Sequence, residues 1–241
     1  MKLSIQFQQK PPQSLLQEFK VVESELQFSE SQNPSGSYFV YDEQGLSFFD
    51  DELGKLHLDF LNSKDYVRQA HRGKSELIAK AVGLHRGRQR VFDATVGLAQ
   101  DAWFLSQLGA EVEGCERSPV VYLLLADALC RAPEAKLKIH FGDSLQWISE
   151  GKSDFSVVYI DPMFPEKKKS ALPRKEMRIF RKWVGEDLDA EKLVQTALQS
   201  PAERVVVKRP LKAPEILSGV VHSFEGQTVR YDLYSPVKGS H

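Results

Sequence analysis

Arg90-Val91-Phe92-Asp93-Ala94-Thr95-Val96-Gly97-Leu98-Ala99-Gln100-Asp101 is the stretch on which the fold turns. A short apolar run ends at an acid, a turn with one glycine follows, and residues 102–108 continue as an apolar helix. Residues 111–115 read as the next strand, and Glu116 ends it nineteen residues beyond Gly97. Strand, turn, helix, strand and terminal acid is the layout of a nucleotide-binding crossover. In a dinucleotide fold three glycines let backbone amides approach a pyrophosphate. Here Ala99 and Ala102 stand at the second and third of those positions, which weighs against NAD or FAD. S-adenosylmethionine carries adenosine without phosphate, so it tolerates such a turn while still requiring an acid for its ribose hydroxyls. Glu116 suits that role.

Downstream, strands and helices keep alternating. Ser118-Pro119 is an N-cap with proline in the first turn and opens a helix over residues 120–130. Strands are expected over 136–141, 155–160 and 204–208, and helices over 145–149, 175–184 and 190–200. Such alternation predicts right-handed βαβ units and a mostly parallel sheet with helices on both faces. The last two strands, 219–224 and 228–234, are separated only by Glu225-Gly226-Gln227, so they close the sheet as an antiparallel edge hairpin. The fold class is therefore α/β, Rossmann-like, with seven strands.

Upstream, residues 64–83 read as a helix with Leu77, Ile78, Ala81 and Val82 on a buried face and Gly83 as its C-cap. Arg72-Gly73-Lys74-Ser75 within it imitates a phosphate-binding loop, but Arg68 stands where that loop needs its first glycine and no strand precedes it. Residues 1–62 form a small β-rich subdomain. Residues 20–28 alternate as a strand, and residues 38–41 and 46–49 flank the turn Asp42-Glu43-Gln44-Gly45. Residues 63–238 form the main domain, and Gly239-Ser240-His241 reads as an appended remnant.

Composition narrows the function. Hydrophobic residues make up 41% and charged residues 27% of 241 residues, an ordinary globular balance that excludes disordered and fibrous classes. No apolar run reaches membrane-spanning length and the start lacks a signal peptide, so a cytoplasmic protein without membrane contact is expected. Cys115 and Cys130 lack a CxxC spacing and read as reduced core residues, and the six histidines form no metal motif, so no metal is expected. The formal net charge is −1, so any nucleic-acid contact must come from a local patch.

Two further strand ends carry acids. Gly142-Asp143-Ser144 places an acid beside a hydroxyl where an adenine edge would lie. Val157-Val158-Tyr159-Ile160-Asp161-Pro162-Met163-Phe164-Pro165 ends a buried strand on a stiff turn with a carboxylate and a ring. Asp101 and Asp143 could equally be plain helix caps. Asp161-Pro162-Met163-Phe164 resembles the [DNS]-P-P-[YFW] signature of methyltransferases that modify exocyclic amino groups of bases. In such a site the Asp161 carboxylate and the Pro162 carbonyl would accept from the two N–H groups of the amine, and Phe164 would stack on the base, a contact worth about 1–3 kcal/mol. Between residues 166 and 182 there are eight basic and two acidic residues. Lys167, Lys168, Lys169, Arg174 and Lys175 are candidates for RNA backbone contact, with Lys208 and Arg209 adding phosphate contacts or shaping the base pocket.

Taken together, residues 93–98, 116–121, 158–165, 169–172, 175–178 and 204–210 resemble the ribosomal RNA small subunit methyltransferase J family, and the likeness covers about residues 64–236. The resemblance implies a class I S-adenosylmethionine-dependent enzyme that methylates the N2 amino group of a guanosine in 16S rRNA, free or within the small subunit. Its cofactor positions fall on Gln100, Asp101, Glu116, Arg117, Asp143, Ser144 and Asp161. The chain departs from the family pattern at Ala99-Gln100, where Gly-Arg is usual, which would weaken a methionine-carboxylate contact that Arg72 or Lys74 could restore. It departs again at Met163, which replaces the second proline. Two alternatives stay open on sequence: an amino-methyltransferase acting on DNA or a small amine, and a non-enzymatic RNA-binding module on the same sheet.

Overall fold

Strand polarity and alternation place the functional residues. In the computed structural model, which describes residues 1–64, 66–67, 73, 76–152, 154–163, 174–185 and 189–236, the main sheet is built from β6 (Arg90–Asp93), β7 (Glu111–Glu116), β8 (Leu137–Phe141), β9 (Val157–Ile160), β10 (Arg204–Pro210), β11 (His222–Glu225) and β12 (Val229–Tyr234). Their order is β11-β12-β10-β9-β6-β7-β8. The central pairs β10–β9, β9–β6, β6–β7 and β7–β8 are parallel, and β12 joins antiparallel to both β10 and β11. This is the seven-stranded Rossmann-like sheet with an antiparallel edge hairpin that the alternation predicts.

Period-two alternation divides the sheet into two cores. Val91, Tyr159, Val206 and Tyr231 belong to one apolar cluster, and Phe92, Val158, Ile160, Val205 and Val207 to the other. Burying each such side chain contributes about 1.5–3 kcal/mol, so a one-residue slip of β9 would exchange the two faces at prohibitive cost. The flanking helices are α3 (Gln100–Gln107), α4 (Pro119–Cys130), α5 (Ser144–Ser149), α6 (Lys175–Val184) and α7 (Ala190–Leu198), preceded in the chain by α1 (Gln13–Val21) and α2 (Leu77–Val82). Ser118 caps α4 by accepting from the Val121 amide, with Pro119 in the first turn. Gly83, at φ 85°, closes α2 as the sequence predicts.

The N-terminal region departs from its reading as short strands alone. β1 (Lys2–Phe7), β2 (Gln27–Glu30), β3 (Tyr38–Asp42), β4 (Gly45–Asp50) and β5 (Gly54–His57) form a sheet in the order β2-β1-β3-β4-β5, with β1 parallel to both β2 and β3. The strand expected over residues 20–28 is instead the end of α1, a turn and the start of β2. Leu15, Val22 and Leu26 are fully buried at helix-like spacing that begins before the stretch in which alternation was read. The helix expected over residues 64–83 is interrupted: Gly73 is not helical, Glu76 is extended, and α2 starts only at Leu77. Arg72 and Lys74 lie outside the described residues. Cys130 is exposed rather than part of the core, while Cys115 is buried.

The two sheets share one continuous apolar cluster, running from Leu3 and Phe48 to Tyr159 and Tyr231. Helix α4 carries the joint. Its buried Asp127 accepts from the Leu46 amide at 2.9 Å and from Arg131 Nε at 2.9 Å, and Tyr122 donates to the Glu18 carboxylate. Gly45 sits over this joint at φ 104°, where a Cβ would lie 2.6 Å from both Asp127 Oδ2 and Arg131 Nε, so the β3–β4 turn accepts only glycine.

Candidate active site

The carboxyl ends of β6, β7, β8, β9 and β10 open into one cavity of about 1040 Å³, large enough for a nucleoside cofactor and part of a second ligand. The turn between β6 and α3 forms its floor. Thr95 joins two strand ends: its amide donates to Asp93 Oδ1 at 3.0 Å, and its hydroxyl accepts from the Asp161 amide at 2.6 Å. Gly97 has φ 54°, and a Cβ there would meet the Phe180 ring of α6 at 3.0 Å. Gly114 in β7 admits no side chain at all, because a Cβ would lie 2.5 Å from the Asp93 carbonyl oxygen and 2.4 Å from Val96 Cγ2. Ala99, at φ 58°, is the one non-glycine with positive φ among the described residues. A left-handed alanine costs about 1–2 kcal/mol, which explains why glycine suits this N-cap position.

At the transfer end, Lys208 Nζ donates to Asp101 Oδ2 and to Asp161 Oδ2, both at 2.8 Å, and the Tyr159 hydroxyl donates to Asp101 Oδ2 at 2.6 Å. Strand register accounts for the cluster. Val207 pairs with Ile160 and Lys208 with Tyr231, so Lys208 falls beside Asp161, one residue beyond that pair. Burial alone would lower the Lys208 ammonium, but Asp101 and Asp161 outweigh it and raise it above the ordinary lysine range. Burial, then the charges of Asp101 and Asp161, push the Tyr159 phenol well up. Cys115 also lines the cavity, and its thiol, pushed up to about 12 by burial and then by Asp143, is a neutral wall.

Each expected cofactor residue that the structure describes lies on this cavity: Gln100, Asp101, Glu116, Arg117, Asp143, Ser144 and Asp161. Their local bonds differ. Glu116 is buried and accepts from the Ser118 amide at 2.7 Å, and Arg117 pairs with Asp189 at 3.2 Å. Asp143 does cap α5, accepting from the Leu145 amide at 2.8 Å, and lines the cavity as well. Asp101 lies in the first turn of α3 but is not its N-cap, and its carboxylate faces Tyr159 and Lys208. The Ser144 hydroxyl donates to the Ala94 carbonyl at 2.7 Å. Acids at three strand ends beside a glycine-bearing turn form a donor set suited to a cationic, hydroxyl-bearing nucleoside. The fit of S-adenosylmethionine rests on that chemistry.

The basic residues separate. Arg174 and Lys175 are exposed at the start of α6, with Arg178 one turn further on. Lys182, which continues that stripe, is held by Asp50, Asp51 and Glu52 at 3.0–3.2 Å. These three acids are the one group with metal-ligand proximity among the described residues, and a lysine ammonium stands among them. Arg209 is buried, with Nε and Nη2 donating to the Pro214 carbonyl, and Lys208 lies inside the cavity, so the protein interior engages both groups that sequence offered as phosphate contacts. Pro162 is buried and Met163 half-buried at the cavity wall. Phe164, Lys167, Lys168 and Lys169 lie outside the described residues. Sequence reasoning passed over Thr95, Tyr159 and Phe180. Tyr159 left a signal, since a tyrosine two positions before Asp161 on one strand must share its face.

Comparison with known proteins agrees with this geometry. The family described as "Putative SAM-dependent methyltransferase" matches residues 22–236. The ribosomal RNA small subunit methyltransferase J of Bdellovibrio bacteriovorus is 48% identical over 211 residues, 84% of each chain. That of Pseudomonas aeruginosa is 44% identical over 211 residues, covering 80% of this chain and 79% of its own. Among solved structures, a SAM-dependent methyltransferase of Neisseria gonorrhoeae superposes with a TM-score of 0.74 at 29% identity, covering 99% of this chain and 97% of that one.

Proposed function

The chain belongs to the ribosomal RNA small subunit methyltransferase J family, and from that premise we propose that it methylates the exocyclic N2 amino group of a guanosine in 16S rRNA, in the bacterial cytoplasm. The observation that carries the reading is the placement of Asp161 at the end of β9, on the cavity that Glu116 and Asp143 also line. When bound, S-adenosylmethionine supplies an electrophilic methyl on a sulfonium, which becomes a neutral thioether once the carbon has passed to nitrogen. Glu116 would hold the ribose hydroxyls, Asp143 the adenine edge, and Gln100 at the start of α3 the methionine end.

An exocyclic guanine nitrogen is a weak nucleophile because its lone pair is delocalised into the ring. The Asp161 carboxylate and the Pro162 carbonyl accept from its two N–H groups and direct the lone pair away from the ring. Thr95 fixes the Asp161 backbone through its 2.6 Å bond, so this acceptor is positioned before substrate arrives. Phe164 stacks on the base, and Arg174 and Lys175 meet the RNA backbone beside the cavity. After transfer the nitrogen carries a surplus proton, is acidic and releases it to solvent, so no strong base is required. Asp161→Ala should lower transfer of labelled methyl to undermethylated 16S rRNA or small subunits by about 100-fold or more, with the fold largely retained. Undiminished transfer would remove Asp161 from the reaction, and label entering DNA alone would replace rRNA as the substrate.

A further inference from the structure

We propose that Lys208 is the positioning residue of the transfer step: its ammonium, shared between Asp101 and Asp161, holds the Asp161 carboxylate ionised and aimed to accept the N–H of the target amine. The inference rests on the role assigned to Asp161 above.

Geometry carries it. One ammonium meets two carboxylate oxygens at 2.8 Å each, one from α3 and one from the end of β9. The lysine is placed by backbone register, since Lys208 follows the Val207–Ile160 pair and stands opposite Tyr231. Its side chain is only 23% exposed, and two of its three donors are engaged at the bottom of the cavity, which leaves it poorly disposed to meet an RNA phosphate. Arg209, the next residue, also borders the cavity, but its guanidinium donates to the Pro214 carbonyl rather than to Asp101 or Asp161.

The groups that face Lys208 make its charge decisive. Asp93 comes from β6, Asp101 from α3, Tyr159 and Asp161 from β9, and Tyr231 from β12, with Glu76 acting on Tyr231 from beyond. Lys208 is the cation through which Asp101 and Asp161 are bridged. Without it, two carboxylates that now converge on one nitrogen would repel each other, which favours the protonated form of one of them. A protonated Asp161 offers an O–H where the amine needs an acceptor, so the attacking lone pair would lose its direction.

The test compares Lys208→Met, Lys208→Arg and Asp161→Ala by single-turnover methyl transfer to undermethylated small subunits between pH 5.5 and 9, with cofactor affinity measured by calorimetry. Lys208→Met should lower the transfer rate by about 10- to 100-fold at neutral pH and move the acid limb of the profile upward by about one pH unit or more. Lys208→Arg keeps the charge and should keep the wild-type acid limb, even at a reduced rate. If Lys208→Met loses cofactor binding through misfolding, the Lys208→Arg profile decides alone, and a shifted acid limb in that variant overturns the proposal. A wild-type rate and limb in Lys208→Met, with Asp161→Ala inactive, refutes the role of Lys208 while leaving Asp161 in place. A raised KM for subunits at unchanged rate would make Lys208 a phosphate contact instead. Activity retained in Asp161→Ala defeats the underlying reading whatever Lys208 does.

Discussion

Asp93 ends β6 with 2% exposure, accepts one hydrogen bond from Thr95 and faces Asp101 and Asp161. Burial above all, helped by those two charges, pushes its carboxyl from 3.8 up to about 8. The folded protein therefore keeps a proton that the unfolded chain releases, so stability declines as pH rises from about 4 to about 8 and levels off beyond. The slope is at most roughly 1.4 kcal/mol per pH unit. Asparagine reproduces the neutral carboxyl and still accepts from Thr95. Asp93→Asn should thus gain stability over the parent as pH rises through that window, measured by urea unfolding at pH 5 and pH 8. An equal difference at both values would mean that Asp93 is ionised in the fold. At this scale the acids were legible in sequence because strand ends announce themselves by an acid after an apolar run. Thr95 was not, since nothing in the chain foretells that its hydroxyl meets the Asp161 amide 66 residues away.

Helix α6 was legible at both ends, and Ile179 and Phe180 supply the buried face that its periodicity predicts. What holds it was not. Asp50, at the end of β4 and 133 residues away in sequence, accepts from Trp183 Nε1 at 2.8 Å and also binds Lys182 and the Leu53 amide. Trp183 packs edge-on against Phe48 of the same strand, with ring centroids 4.7 Å apart. The N-terminal sheet thereby braces the helix whose Phe180 and Met177 wall the cofactor cavity. That brace gives the small sheet a task that its sequence, with no catalytic cluster, does not reveal. Asp50→Ala would strand the indole N–H and a backbone N–H, each costing about 1–3 kcal/mol when buried. Unfolding should therefore occur several degrees lower, at about 2–4 °C per kcal/mol for a chain of this size. Calorimetric cofactor affinity should fall with it, because the cavity wall loosens. Unchanged affinity despite lower stability would confine the brace to folding. The strand expected over residues 20–28 fails for a related reason: Val22, the C-cap of α1, and Leu26, whose amide donates to the Val22 carbonyl at 2.8 Å, are buried in the turn after the helix, on the side that Leu15 begins.

Across the whole molecule, a formal net charge of −1 leaves no global attraction for RNA, so binding depends on where the cations gather. The seven-stranded sheet could be read from its alternation alone; α6 turns Met177 and Phe180 to the cavity that Asp161 lines, while Arg174, Lys175 and Arg178 at its start are exposed. The partners of the remaining cations could not be read, because Lys182 and Arg209 find theirs through tertiary contacts with Asp50 and Pro214. Among the described residues of the basic run, Arg174, Lys175 and Arg178 are the ones whose exposure makes them candidates for contact with a polyanion. Each single-stranded phosphate neutralised there contributes a slope of about −0.7 to the log-log dependence of affinity on salt. Arg174→Glu combined with Arg178→Glu should weaken binding of 16S rRNA at 50 mM salt and flatten that slope by about 1.4, if each arginine neutralises one phosphate. Cofactor affinity should stay as it is, since neither side chain lines the cavity. Titrating labelled rRNA between 50 and 200 mM salt measures both quantities. A slope equal to that of the parent would move the RNA contact off this face of α6, whereas a flattened slope with intact cofactor binding fixes the helix as the edge along which the RNA approaches Asp161.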